Sequence, residues 1–385
     1  MPFYKTRSAR TVAGLCFLGC LLAARMAAAA AGDPGPERVT DVAGLAPAAE
    51  CPDPGPGAAA QIAAAASATI PLKKGLTLSK IWKPNADDYK HECLEQIESI
   101  DARGVVVTSS CPIGPKHDPN LRMRRICWSD FLDSHLYLTL HDKGLPDTFV
   151  GALSFNLSLR SFAALKKNEE IAHRYVQPAD DIHLIAVDID GRLKPDGPGT
   201  FKVIVNDRLV ELPTLEASYV HKGDIIRVKV LDDARFPLML DYYMPTRDKF
   251  ALTYTKISFP TEHEIEKQLA TEKHADVYGV YFDFAKDSMR RESQPVLQEI
   301  AAALKAHPDW VLSIYGHTDN IGVAAQNLDL SRRRALTVRN ALISQFHIDP
   351  ARLSTTNGFG ASQPKDTNDT DRGRARNRRV ELVRQ

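Results

Sequence analysis

Apolar positions in the last third of the chain recur at helical spacing, whereas those in the middle recur at strand spacing. Leu297, Ile300 and Leu304 fall on one face of a 3.6-residue repeat, as do Ala335, Val338 and Leu342, which predicts helices over 293–306 and about 328–346. Ser293 is a suitable first residue for the earlier helix. Pro295 then sits in the opening turn, where its missing N–H costs nothing. Around these helices, runs rich in Val, Ile and aromatic residues predict strands over 277–284, 310–315, about 352–356 and 378–383. The resulting order, βαβαββ, is that of a compact α/β sandwich over residues 270–385.

Between 70 and 260 the pattern changes to short runs of β-branched and aromatic residues bounded by Pro, Gly, Asn and Asp. Strands are expected at 104–108, 136–140, 182–189, 201–205, 209–212, 225–231 and 252–259. Asn206-Asp207 reads as a hairpin turn, and Asp196-Gly197-Pro198-Gly199 marks another. Two segments keep helical spacing instead: 89–100 through Leu94 and Ile97, and 161–174 through Phe162 and Leu165. The length would house an eight-stranded outer-membrane barrel, but the run 182–187 is apolar on both faces. Barrel strands of roughly 9–11 residues should alternate lipid-facing and lumen-facing side chains. The expectation is therefore an α+β protein, secreted and two-domain, whose middle domain is β-rich and soluble.

The amino terminus carries Lys5, Arg7 and Arg10, an apolar stretch over 11–24, then Arg25 and an alanine run. This is the three-part form of a secretory signal over 1–31, cleaved after Ala29 or Ala31. Lipid attachment at Cys20 is the less favoured alternative, because Phe17-Leu18-Gly19 matches a lipoprotein signal poorly. Residues 32–69 are rich in Ala, Pro and Gly and read as a linker, with a short helix over 58–68. Removal of the signal leaves Cys51, Cys93, Cys111 and Cys127, an even set in an oxidising compartment. Disulfides are expected, with three complete pairings open. No C-x-x-C pair suggests zinc, and no metal or cofactor is expected. With 385 residues, 44% of them apolar, the chain exceeds one domain, and a net charge of +1 argues against nucleic acid as a partner.

The string GHTDNIGVAAQNLDLSRRRA at 316–335 offers an acid, Asp319, and a base, Arg334, across a strand end, a loop and a helix start. An acceptor-only anion and a planar bidentate cation suit a zwitterionic ligand. Together with GRARNRRVEL at 373–382, this string resembles the OmpA-like peptidoglycan-binding domain, over about residues 270–385. The resemblance implies that Asp319 takes the ammonium, and Arg334 the carboxylate, of diaminopimelate in a stem peptide. The start of the helix is expected to add backbone N–H groups and a partial positive charge that favour the carboxylate further.

Thr318 belongs to the same turn. Asn327, Leu330 and Ser331 occupy the family's Asn-x-x-Leu-Ser step, with Asn327 fixing the loop and Ser331 capping or lining the pocket. The segment FDFAKD at 282–287 resembles the opposite pocket wall. Phe282 and Phe284 are expected in the core, Asp283 in a structural role, and Ala285 in backbone contact only, where relatives often carry a polar residue. Arg374, Asn377, Arg378 and Arg379 match the closing signature, and one of its arginines, Arg378 being chosen, borders the ligand. Strand alternation puts Val380 and Leu382 inward, and Arg379 and Glu381 outward. His317 is expected to be a framework histidine, and Asn357 to bulge its strand.

The resemblance places the protein in the periplasm or at the outer membrane, bound non-covalently to peptidoglycan and not acting as an enzyme. The segment 231–243 resembles uncharacterised regions of other bacterial OmpA-family envelope proteins. An envelope protein partner for residues 70–260 is a further expectation. Two alternatives stand beside this reading: an envelope enzyme with catalysis in the middle domain, although G-x-S-x-G and H-E-x-x-H are absent, and a secretion-system or stator-type anchor.

Overall fold

The structure, a computed structural model, describes residues 46–47, 50–55, 58–83, 91–111, 122–138, 148–178, 185–244, 251–261 and 263–385. The expected signal, Cys20 and the first part of the linker lie outside these residues. Among the described residues, no helix is long and apolar enough to cross a membrane.

Among the described residues, the β-rich part forms one 14-stranded sheet. Its first seven strands are β1 (Ala46–Pro47), β2 (Thr77–Lys83), β3 (His91–Ile100), β4 (Gly104–Ser110), β5 (Arg122–Cys127), β6 (Leu136–Leu138) and β7 (Thr148–Val150). There follow β8 (Ala152–Leu153), β9 (Ile171–Pro178), β10 (Ile185–Val205), β11 (Arg208–His221), β12 (Asp224–Leu231), β13 (Met239–Tyr243) and β14 (Ala251–Ser258). Their order is β1-β7-β5-β4-β3-β2-β14-β13-β12-β11-β10-β9-β6-β8, and β14 also pairs with β10, which closes β10–β14 into a ring. One core gathers Leu76, Leu78, Ile97, Val107, Phe155 and Phe236; a second gathers Tyr137, Phe162, Tyr175, Val228 and Tyr242.

The predicted helix over 89–100 is strand β3. Leu94 and Ile97 keep helical spacing, but Glu95 faces Lys80 of β2 at 2.8 Å and Gln96 donates to Thr77 Oγ1 at 2.7 Å. A central strand keeps polar side chains when cross-strand neighbours satisfy them. The predicted helix over 161–174 is half correct: Ser158 caps α3 (Leu159–Lys166), Phe162 and Leu165 are buried, and Asn168 turns at φ 65° into β9. The expected turn at 196–199 lies inside β10, where a bulge between Pro195 and Gly197, with Gly197 at φ 118°, absorbs the glycine and proline. Asn206 and Asp207 do make the hairpin turn, at φ 41° and 71°.

Two disulfides, Cys51–Cys127 and Cys93–Cys111, resolve the three open pairings. The later part of the expected linker is bound to the β-rich domain. Cys51 is tied to Cys127, the residue before α2 (Trp128–Leu132), and α1 (Ala58–Ala66), a helix as expected, buries Ala65. Thr69 N–H donates to Asp233, 2.8 Å away. Alanines too small to form a core of their own are buried here against one that the sheet supplies.

The carboxyl-terminal domain has a four-stranded sheet in the order β15-β18-β16-β17, made of β15 (His274–Val277), β16 (Leu312–His317), β17 (Leu353–Gly360) and β18 (Val380–Arg384). Helices α4 (Glu264–Thr271), α5 (Gln294–Ala306) and α6 (Ala324–Phe346) accompany it, and α5 and α6 bury the predicted Leu297, Ile300, Leu304, Ala335, Val338 and Leu342. The βαβαββ order is present with two helices more, α4 ahead of β15 and α7 (Asp371–Asn377) between the last two strands; Thr370 accepts the Gly373 N–H at the start of α7.

The expected strand over 277–284 ends at Val277. Beyond it the backbone finds other partners: Tyr278 N–H donates to Asp207 of the β10–β11 turn at 2.6 Å, and Tyr281 N–H to Ser293 Oγ at 2.8 Å. Ser293 therefore anchors Tyr281 and does not cap α5 with its side chain. Asn357 pairs in register with Tyr315. The bulges in β17 fall between Leu353 and Thr355 and between Gly358 and Gly360.

Candidate functional site

Tight packing of α6 onto β16 and β17 positions the pocket. At Gly316 an added Cβ would lie 2.1 Å from the Ser331 carbonyl oxygen, and at Gly358 2.3 Å from the Arg332 nitrogen. Only glycine permits this approach, which brings the end of β16, carrying Asp319 just beyond it, alongside the helix face that carries Asn327, Ser331 and Arg334.

Asp319 is about one-eighth exposed. Its Oδ1 accepts the Ile321 N–H at 3.1 Å, and its Oδ2 accepts from Arg378 Nη1 at 2.8 Å. Arg334 is held by the opposite wall. Its Nε donates to Lys286 O at 3.0 Å, its Nη2 to Asp283 O at 3.3 Å, and its guanidinium lies 4.8 Å from the Phe282 ring centre. Burial and the neighbouring Arg378 cation lower the Arg334 guanidinium to about 10, against the opposing pull of Glu92, Asp319 and Asp287. Two guanidiniums thus repel each other across a short, partly buried space, and an arriving carboxylate would relieve that repulsion.

Asn327 fixes the loop as expected, donating through Nδ2 to Asp319 O at 3.3 Å and Ile321 O at 2.9 Å. Ser331 neither caps the helix nor lines the pocket: it is fully buried, donates to Leu328 O at 2.8 Å and accepts the Gly360 N–H at 2.9 Å. Thr318 is buried, its N–H donates to Gly360 O at 2.9 Å, and its hydroxyl has no partner among the described residues. Leu330 is half-buried. Ala285 is exposed at the tip of the loop that the Phe282–Met289 bridge closes, at φ 55°. Phe282 packs partly into the core, but Phe284, expected there, is 58% exposed. Helix α6 begins at Ala324, so Arg334 lies ten residues along it. At 1.5 Å per residue that is about 15 Å, so a carboxylate held by Arg334 lies away from the helix end.

Residues 281–378 match the OmpA family. The carboxyl-terminal domain is an OmpA-family domain. Outer membrane protein Omp38 of Acinetobacter baumannii is 38% identical over 121 residues, covering 31% of this chain and 34% of that protein. Motility protein B of Bacillus subtilis is 32% identical over 128 residues, 32% of this chain and 49% of that protein. Among solved structures, the peptidoglycan-associated lipoprotein from Burkholderia pseudomallei is 37% identical, with 28% of this chain and 88% of that chain covered and a TM-score of 0.26. The chain spans about a third to a half of the length of these two curated relatives.

Within this OmpA-family domain the closing arginines have separate tasks. Arg374 donates to Asn368 O and pairs with Asp371, while Asn377 uses both ends of its amide to shape the loop before α7, accepting the N–H groups of Lys365 and Asp366. Arg378 alone of them reaches Asp319. Arg379, expected outward, is buried with its Nε 2.9 Å from Asp276, because the 361–370 segment covers that face of the sheet and Gln363 O accepts from its Nη2. His317 is a framework residue, its Nε2 2.9 Å from Glu381, and this hydrogen bond draws the Glu381 carboxyl down to about 2. One ligand atom from each of His274, Asp276 and Glu381 lies within 4.8 Å of the other two. Arg379 and Lys365 already neutralise Asp276, at 2.9 and 3.0 Å.

Sequence reasoning missed two members of the neighbourhood, both from the β-rich domain. Glu92 of β3 lies 3.6 Å from Arg378 Nη2, and Lys256 of β14 lies 2.9 Å from Glu92. No spacing along the chain signals them, since only docking of the two domains brings them to the pocket.

Proposed function

We propose that this protein binds peptidoglycan non-covalently, through diaminopimelate in a stem peptide, with its OmpA-family domain. The observation that carries the reading is the hydrogen-bonded Asp319–Arg378 pair together with the part-buried Arg334 guanidinium, which lies close enough to feel both of their charges. A ligand centre bearing both an ammonium and a carboxylate complements that arrangement. Its ammonium would replace Arg378 at Asp319, and its carboxylate would meet the donors of Arg334. A neutral sugar offers neither charge. The names of the relatives, an outer membrane protein and a motility protein, support an address in the bacterial envelope, which we extend to this chain as periplasmic or outer-membrane. The β-rich domain is then the part held at the wall, where it meets an envelope partner, and the protein performs no covalent chemistry.

Co-sedimentation of the full chain with purified sacculi tests this reading. Saturable binding, abolished by Asp319→Ala and by Arg334→Ala, is expected. Equal pelleting of the two variants and the parent protein would remove the site assignment, and release of soluble muropeptides would refute the non-enzymatic reading.

A further inference from the structure

The carboxylate on the far side of Arg378 belongs to the other domain, and it is held firmly. Glu92 Oε1 accepts from Lys256 Nζ at 2.9 Å and from Ser79 Oγ at 2.7 Å, with Lys256 itself only 4% exposed and 4.6 Å from the Tyr281 ring centre. Burial alone would raise the Glu92 carboxyl, but the Lys256 and Arg378 cations outweigh it and hold Glu92 ionised, well below the usual carboxylate range. The backbone around it is clamped as well. Arg290 of the OmpA-family domain donates to Glu92 O at 3.3 Å and to Ser110 O at 2.9 Å, and the next residue, Cys93, is bonded to Cys111. Glu92 is therefore part of a fixed interdomain seam.

Arg378 is shared unequally across this seam. Its Nη1 has a full hydrogen bond to Asp319 at 2.8 Å, whereas its Nη2 stands 3.6 Å from Glu92 Oε2, an ion pair too long for a hydrogen bond. That Nη2 is buried and, among the described residues, has no hydrogen-bond partner. An ammonium arriving at Asp319 competes with Nη1 for Oδ2, since Oδ1 already accepts the Ile321 N–H. Two cations repel each other there, and the nearest other anion for Arg378 is Glu92.

We propose that Glu92 is a positioning residue for the wall-peptide pocket: it receives Arg378 when the ligand's ammonium takes Asp319. The proposal rests on the ligand reading given above. By this handover the buried Nη2 gains its missing hydrogen bond, which offsets the loss of the Asp319 contact. The ligand then binds more tightly than it would against an Arg378 with nowhere to go. Because coupling is reciprocal, ligand occupancy also strengthens the contact between the two domains. The β-rich domain is then a participant in wall recognition, and wall binding is communicated to it.

The test uses the full chain and a soluble muramyl tripeptide containing meso-diaminopimelate, titrated by calorimetry, with thermal unfolding as the check on folding. Glu92→Gln is expected to weaken binding on the order of 5- to 50-fold, within the usual range of coupling between sites. Glu92→Asp should recover part of the loss, and Glu92→Gln should add nothing in an Arg378→Gln background. Hydrogen exchange of the unsubstituted protein provides a measurement independent of any variant: ligand should slow exchange in β3 and around Arg378. Unchanged or tighter binding by a folded Glu92→Gln, or exchange in β3 that ignores the ligand, would overturn the handover. If the unsubstituted protein does not bind the tripeptide, the ligand reading itself fails. If binding is lost with Asp319→Ala but insensitive to Glu92→Gln, the pocket stands and only the handover is lost.

Discussion

Replacing Arg334 with lysine separates charge from geometry at the candidate pocket. Lysine keeps the cation but not the planar fork, and so gives up the simultaneous hold on Lys286 O and Asp283 O and the stacking on Phe282. Nε and Nη2 are already engaged by the loop, so the rest of the guanidinium is what remains for a ligand carboxylate. A hydrogen bond to a charged group contributes about 1.5–3 kcal/mol, which for Arg334→Ala corresponds to a loss of roughly 10- to 200-fold in affinity. Lysine restores the monopole without the fork, so Arg334→Lys should lose roughly 5- to 30-fold, between the parent and the alanine variant. The assay is calorimetric titration with the tripeptide, paired with unfolding midpoints to subtract any loosening of the 282–289 loop. Binding by Arg334→Lys within twofold of the parent, with Arg334→Ala strongly impaired, would show that charge alone is read. The geometric argument would then be wrong.

Two further outcomes concern the frame that carries the site. Lys80 and Glu95 form a buried pair at 2.8 Å, with Ser154 and Tyr254 also donating to Glu95. Lys80→Met should cost about 3–5 kcal/mol in urea unfolding by leaving a buried carboxylate without its cation, and Lys80→Met with Glu95→Leu should recover most of it; equal losses in the single and double variants would contradict this. Asp207, which receives the Tyr278 N–H at the domain boundary, is pushed up to about 7 by burial, against that hydrogen bond and with help from Glu299, Asp276 and Glu264. The folded protein therefore retains a proton that the unfolded chain releases near pH 4. Stability should fall as pH rises from about 4 to 7, by up to about 1.4 kcal/mol per pH unit, and Asp207→Asn should remove that slope from pH-dependent denaturation curves. A slope unchanged by the substitution would place the titrating group elsewhere.

Local pattern was enough where burial on one face of one element decides the outcome. Leu297, Ile300 and Leu304, and Ala335, Val338 and Leu342, announced α5 and α6 because each helix faces a single core. The Asn206-Asp207 turn was legible because left-handed backbone conformations favour few residue types. It was not enough for β3, whose Glu95 and Gln96 are polar yet buried, since their partners Lys80 and Thr77 come from another strand. The same applies to Arg379, whose burial depends on a loop folding over the sheet.

The sequence by itself determined that an acid and a base stand at Asp319 and Arg334, and the family of the last domain. These rest on residue type and short-range spacing, which a linear string preserves. Only the tertiary structure decided how the charges are shared: Asp319 with Arg378, Arg334 with the opposite loop, and Glu92 of the β-rich domain beside them. Electrostatic partnership depends on distance in space and on loss of solvent, and neither is written in the order of residues along the chain.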